Sequence, residues 1–131
     1  MNNERLVVLV DDDRLNNMVC RKLIQLVGEQ PSQIVEFTDP ELGLDFVHET
    51  TKVRSGDRAL LLLDLNMPVM SGWDFLTEFA KFDQERKAAF TIYIVSSSLD
   101  PKDRQRAEQN PYVRDMIVKP LTRDILRGIL K

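Results

Sequence analysis

Cysteine and histidine are almost missing from this chain: 131 residues hold one of each, Cys20 and His48. A lone cysteine closes no internal disulfide, and the two together fall short of the three or four ligands of a zinc site. His48 is expected to be a solvated residue or a helix C-terminal partner, with no Ser-His-Asp triad around it. An excess of charge of one sign is missing as well. Eighteen Lys and Arg against 21 Asp and Glu leave a net charge of −3, so no basic field draws the chain onto nucleic acid or an anionic membrane. Five glycines and six prolines are too few for fibrous or low-complexity classes. No apolar run exceeds the five residues from Ala59 to Leu63, against roughly 20 for a bilayer span. The start, Met1-Asn2-Asn3-Glu4-Arg5, lacks the basic region and long apolar stretch of a signal peptide. A reducing, cytoplasmic setting is expected.

What is present is enough apolar material for a core, 43% of residues, in a length that suits one domain spanning 1–131. Leu6 to Val10 is a continuous aliphatic run that reads as a buried parallel strand. Leu15, Met18, Val19, Leu23 and Leu26 then recur at three- and four-residue spacings, the apolar stripe of a helix ending near Gly28. The same alternation repeats. Ile34 to Phe37 is a strand, and Asp39-Pro40 opens a helix as cap plus proline. Ala59 to Leu63 is a strand, followed by a helix from Gly72 to about Phe82 with Trp73, Leu76, Phe79 and Ala80 facing inward. Thr91 to Val95 precedes a second Asp-Pro start, Asp100-Pro101, and a helix over Lys102 to Gln109. Asp115 to Val118 and Leu121 to Leu130 close the chain. Five strand–helix units imply right-handed crossovers and a doubly wound α/β fold, a five-stranded parallel sheet with helices on both faces.

Ligands of such sheets sit beyond the carboxyl ends of the strands. There the sequence places Asp11-Asp12-Asp13, Asp64, Ser96-Ser97-Ser98 and Lys119-Pro120. Neighbouring carboxylates repel, by about 4 kcal/mol for unit charges about 4 Å apart at an effective dielectric of 20, so they call for a cation. Few carboxylates and hard oxygen ligands suit Mg²⁺, with Mn²⁺ a close substitute. A metal beside a strand-end aspartate, facing a hydroxyl and a lysine, is equipped for phosphoryl transfer. Asp64 would attack, and Ser96 and Lys119 would take hold of the new phosphoryl oxygens.

The set Val10-Asp11-Asp12, Leu63-Asp64-Leu65-Asn66-Met67-Pro68, Ser71-Gly72, Val95-Ser96-Ser97 and Val118-Lys119-Pro120 resembles the receiver domain of two-component response regulators, over essentially the whole chain. The resemblance implies a flavodoxin-like strand order 2-1-3-4-5. It implies Asp11 and Asp12 as the acidic pair for the metal, Asp64 as phosphoacceptor and metal ligand, and the Asn66 backbone carbonyl as the remaining protein ligand. Ser96 would be the switch hydroxyl and Lys119 the site lysine, aimed by a cis bond before Pro120. Gly72 would let the loop after Asp64 turn tightly. A histidine kinase or histidine phosphotransfer protein would donate the phosphate, and a further protein would read the result. The domain would be a phosphoacceptor and not an enzyme, apart from its own phosphorylation and dephosphorylation.

The chain departs from that pattern in places. Met116 stands where the family usually has an aromatic residue, three positions before the lysine; Tyr112 is the alternative aromatic. Thr50 to Arg58 and Asp83 to Ala89 are polar, extended connections. Only eleven residues follow Pro120, so no output domain is expected. Lys102, Arg104, Arg106, Arg123, Arg127 and Lys131 make one side basic; the family uses that side for partners or dimers, and a plain solvated face is the alternative. Asp13 reads as a helix cap, Ser97 and Ser98 as loop or cap residues, and Cys20 as a small filler. Two other functions compete. A haloacid-dehalogenase-type phosphatase uses similar groups, but there the nucleophile precedes the acidic pair. A receiver-fold module that binds partners without phosphorylation would leave the acidic site unused.

Overall fold

The computed structural model describes residues 5–28, 32–53 and 58–130. Strand β1 (Arg5–Val10) leads into α1 (Arg14–Val27), β2 (Ser32–Phe37) into α2 (Pro40–Glu49), and β3 (Ala59–Leu63) into α3 (Gly72–Phe79). A short α4 (Gln84–Ala88) precedes β4 (Phe90–Ser96), followed by α5 (Pro101–Gln109), β5 (Val113–Val118) and α6 (Arg123–Leu130). The strands form one sheet in the order β2-β1-β3-β4-β5, parallel at every pairing. This is the doubly wound arrangement expected from the alternation of strands and helices.

Alternate residues of the central strands serve opposite layers. Val8, Val10, Leu61, Leu63, Ile92 and Ile94 pack with Val47, Phe75 and Phe79 on one face. Val7, Leu9, Leu60 and Leu62 pack with Ile24, Leu126 and Ile129 on the other. All five residues of β3 are buried, as a strand covered on both faces requires. The three expected caps are in place: Asp13, Asp39 and Asp100 each accept backbone N–H bonds at a helix start. Such caps contribute about 1 kcal/mol apiece. No helix among the described residues is long and apolar enough to cross a membrane.

Several expectations need correction. Four of the five residues of the α1 stripe picked out by spacing point outward: Leu15, Met18, Val19 and Leu26 are exposed, while Ile24 and the amide Asn17 are buried. The fifth stripe residue, Leu23, packs with Cys20, Ile24 and Val27 on the sheet side. Asp83 to Ala89 is no extended linker, because Asp83 caps the one-turn helix α4. Helix α3 ends at Phe79 with Ala80 as its cap. Trp73 is half-buried: its ring packs against the edge of the core, and its indole N–H reaches Asp103 on α5 (3.4 Å). Tyr112 packs edge-on against Phe79, ring centroids 5.7 Å apart, at the strand end opposite the acidic residues, so it does not replace the aromatic missing at Met116. Residues 54–57 of the Thr50–Arg58 connection, and Lys131, lie outside the described residues.

Candidate functional site

The carboxyl edge of the sheet is assembled by backbone bonds between strand ends. Asp11 N–H donates to the Phe37 carbonyl (3.1 Å), Asp64 N–H to Val10 (2.9 Å) and Lys119 N–H to Ser96 (2.9 Å). The parallel ladder therefore delivers Asp11, Asp64, Ser96 and Lys119 to one rim. Carboxylate oxygens of Asp11, Asp12 and Asp64 lie within 4.8 Å of one another. Asp11 and Asp64 are buried and Asp12 is exposed, so the cluster has a protein side and an open side. Lys119 Nζ sits 2.9 Å from Asp11 Oδ2 and 3.6 Å from Asp64 Oδ1.

Burial, then the charge of Asp11, push the Asp64 carboxyl up to about 6, against Lys119 and the backbone N–H groups of Leu65 and Asn66. Burial alone would lower the Lys119 ammonium, but its hydrogen bond to Asp11 and the charges of Asp11 and Asp64 hold it raised. The donor set fits a hard divalent cation: three carboxylates converge, an open side leaves room for water, and the single ammonium cannot neutralise them all. A proton on Asp64 competes with such a cation. Because the carboxyl is raised, the folded chain keeps a proton that the unfolded chain has released between 3.8 and about 6. Metal-free stability contributed by this group is therefore present at low pH and lost as pH rises through that window. The expected result is a rise in melting temperature on adding Mg²⁺ that is larger at about pH 8 than at about pH 5. Equal rises at both would contradict it.

Further residues complete the rim. Ser96 is fully buried, and its Oγ accepts from Ser98 N–H (3.1 Å). The Lys119–Pro120 bond is cis, as the resemblance implies. Asn66 is exposed two residues after Asp64. Gly72 is needed, but not for a tight turn: a Cβ there would overlap the Asp64 carbonyl oxygen and meet Leu65 Cα at 3.0 Å. The left-handed residue of that loop is Val69, φ 70°, an unfavourable conformation for a β-branched side chain. Sequence reasoning also passed over Asn17. Its buried amide donates to the Asp11 and Phe37 carbonyls (3.0 and 3.3 Å) and so fixes the loop that carries the acidic pair. A polar residue inside a helix's buried face was its only signal.

Cys20 lines a cavity of about 140 Å³ with Asp11, Asp64 and Lys119. Burial, then Asp11, push its thiol up to about 12, which leaves it protonated and suits a filler. His48 is exposed and stacks on Phe82 at 4.3 Å between ring centroids. On the basic side, Arg104 pairs with Asp115 (3.8 Å) and Arg127 with Asp124 (3.0 Å), so part of that charge is answered within the chain.

The sequence pattern of the response regulator receiver domain matches residues 7–131. The chain belongs to that family. This receiver domain of two-component systems is 27% identical over 127 residues to the probable methanogenesis regulatory protein FilR2 of Methanothrix harundinacea, covering 93% of this chain and 76% of that protein. It is 23% identical over 129 residues to the sensor histidine kinase CheAY of Helicobacter pylori, where 98% of this chain spans 15% of that protein's length. A response regulator receiver protein from Dyadobacter fermentans superposes with a TM-score of 0.83 at 24% identity, over 96% of this chain and 94% of that one, and so shares the fold.

Proposed function

We propose that the receiver domain is a phosphoryl-accepting switch in which Asp64 is the acceptor. The observation that carries this reading is the convergence of Asp11, Asp12 and Asp64 within 4.8 Å, with Lys119 bonded to one and close to another. Asp64 Oδ attacks the phosphorus of a phosphohistidine in line, the N–P bond breaks, and the imidazole leaves and takes up a proton. Mg²⁺ bound by the three carboxylates and the Asn66 backbone carbonyl would neutralise phosphoryl oxygens during that transfer; Mn²⁺ has the same chemistry. Lys119 supplies a second positive charge from the protein side. The Ser96 hydroxyl then donates to a phosphoryl oxygen, and the change reaches partners through the β4–α5 loop.

The donor is a histidine kinase or histidine phosphotransfer protein. Leu15, Met18, Val19 and Leu26 form an exposed apolar stripe on α1, beginning beside the acidic pair, where a donor carrying its histidine to Asp64 would be seated. The domain is consumed as an acceptor and does not turn over a small phosphate ester, and a cytoplasmic setting accords with a kinase donor.

Intact-protein mass spectrometry after incubation with a small acyl phosphate tests the reading. One phosphoryl adduct is expected on the wild type with Mg²⁺, none with a chelator, and none on Asp64→Asn. Adducts that form equally without Mg²⁺ or on the variant would overturn it.

A further inference from the structure

Helix α5 is attached to the domain in an unusual way. Ala107 is its only buried residue, so apolar packing holds it weakly, and weakly packed elements are the ones that open or shift most readily. Polar contacts take over. Asp103 Oδ2 accepts from Ser98 Oγ (2.6 Å), and Asp103 Oδ1 accepts from Trp73 Nε1 (3.4 Å). The Arg106 guanidinium lies over the Trp73 ring, 4.6 Å from its centroid, adding a cation–π contact. Ser98 is the inner end of this chain of contacts. Its N–H donates to Ser96 Oγ (3.1 Å), and its own Oγ accepts from Asp100 N–H (3.2 Å).

We propose that Ser98, Asp103 and Trp73 form a latch that holds the Ser96 hydroxyl on its own loop and carries its release to the α3–α5 surface. Among the described residues, Ser96 Oγ is hydrogen-bonded to Ser98 and to neither Asp64 nor Lys119. Turning Ser96 toward a phosphoryl group on Asp64 gives up that bond and frees the loop that Ser98 ties to Asp103. Whatever fastens Ser98 opposes the turn, and whatever favours the turn loosens Asp103 from Trp73; the two effects are reciprocal. Met116 does not offer an aromatic ring to report the change. It is buried, and its carbonyl accepts from Arg104 of the same α5 (3.2 Å), so a shift of α5 is felt at β5 as well. Trp73, on α3, then becomes the residue at which the switch is read.

The inference rests on Asp64 being the acceptor, and a titration with Mg²⁺ and beryllium fluoride separates the two. Trp73 is the only tryptophan, so intrinsic fluorescence reports the outer end of the latch directly. Wild type should bind the fluoride complex with a change in Trp73 emission. Asp103→Ala should bind it roughly fivefold more tightly, the ratio expected from losing one net hydrogen bond, and should show altered emission before any addition. Ser98→Ala should bind with a similar gain while its resting emission stays like wild type, since Asp103 still accepts from the indole. Thermal melts establish that both variants fold. If wild type binds with no change in emission, or if both folded variants bind within twofold of wild type, the latch is overturned while the acceptor reading stands. If wild type fails to bind at all, both readings fall.

Discussion

Lys119→Met is expected to slow phosphorylation of Asp64 by about 10²–10³-fold, the usual cost of removing one preorganised charge from a reacting oxyanion. Methionine keeps much of the side-chain length and removes the charge together with its N–H donors. In the native site that charge stands 2.9 Å from Asp11 and 3.6 Å from Asp64, and it is the ammonium that partners the acid cluster. Two consequences of opposite sign follow from the same loss. Without the ammonium the carboxylates repel one another more, so metal-free stability falls and the Asp64 carboxyl is pushed further up. The same uncompensated charge attracts a cation more strongly, so Mg²⁺ binds more tightly than to wild type and restores much of the lost stability. Phosphorylation rates from a small acyl phosphate, combined with Mg²⁺ titration by calorimetry, read both. A variant that binds Mg²⁺ more weakly and phosphorylates at the wild-type rate would contradict the role given to Lys119.

The second large effect is structural. Gly72→Ala should destabilise the domain by about 3 kcal/mol in urea unfolding, at the upper end of what overpacking usually costs. The added Cβ meets the Asp64 carbonyl oxygen and Leu65 Cα, both backbone atoms that cannot swing aside. Since one of them belongs to Asp64, the proposed acceptor, the displacement reaches that residue itself, and phosphorylation should fall with stability. Gly128→Ala is the matching control. A Cβ there meets nothing within 4 Å, and it sits within α6, where alanine is favoured over glycine by about 1 kcal/mol. A Gly72→Ala protein as stable as wild type would show that the loop after Asp64 tolerates the displacement and would remove the reason given for the glycine.

Much of this was legible because the strands announce themselves as short unbroken apolar runs and the site residues follow directly upon them. Asp11, Asp64, Ser96 and Lys119 each end such a run, and a parallel sheet brings strand ends to one rim whatever the details of packing. The caps at Asp39 and Asp100 were legible for a similar reason, as Asp-Pro steps have one favoured place at a helix start. Helix α1 was not. It carries the stripe Leu15-Met18-Val19-Leu23-Leu26 and beside it Cys20-Ile24-Val27, both at helical spacing, and periodicity alone does not say which one meets the sheet. The better-spaced series is exposed apart from Leu23, and the buried face carries an amide, Asn17, whose partners are the Asp11 and Phe37 carbonyls at the ends of β1 and β2. Trp73 was half legible: a large aromatic next to Leu76 and Phe79 reads as core, and it does pack there, but only the position of Asp103 on another helix gives its N–H a partner. Val69 shows the same limit, since left-handed backbone is usually flagged by glycine or asparagine and here falls on valine.

The most direct test of the account is to find where the phosphoryl group sits. Borohydride reduces an acyl phosphate to an alcohol, so an aspartyl phosphate becomes homoserine and survives digestion for peptide mass spectrometry. Protein incubated with an acyl phosphate and Mg²⁺, then reduced, should carry homoserine at position 64 and at no other aspartate, and the signal should vanish when Mg²⁺ is chelated. Homoserine at Asp11 or Asp12, or none anywhere in a protein that still binds Mg²⁺, would contradict the assignment of Asp64 as the acceptor.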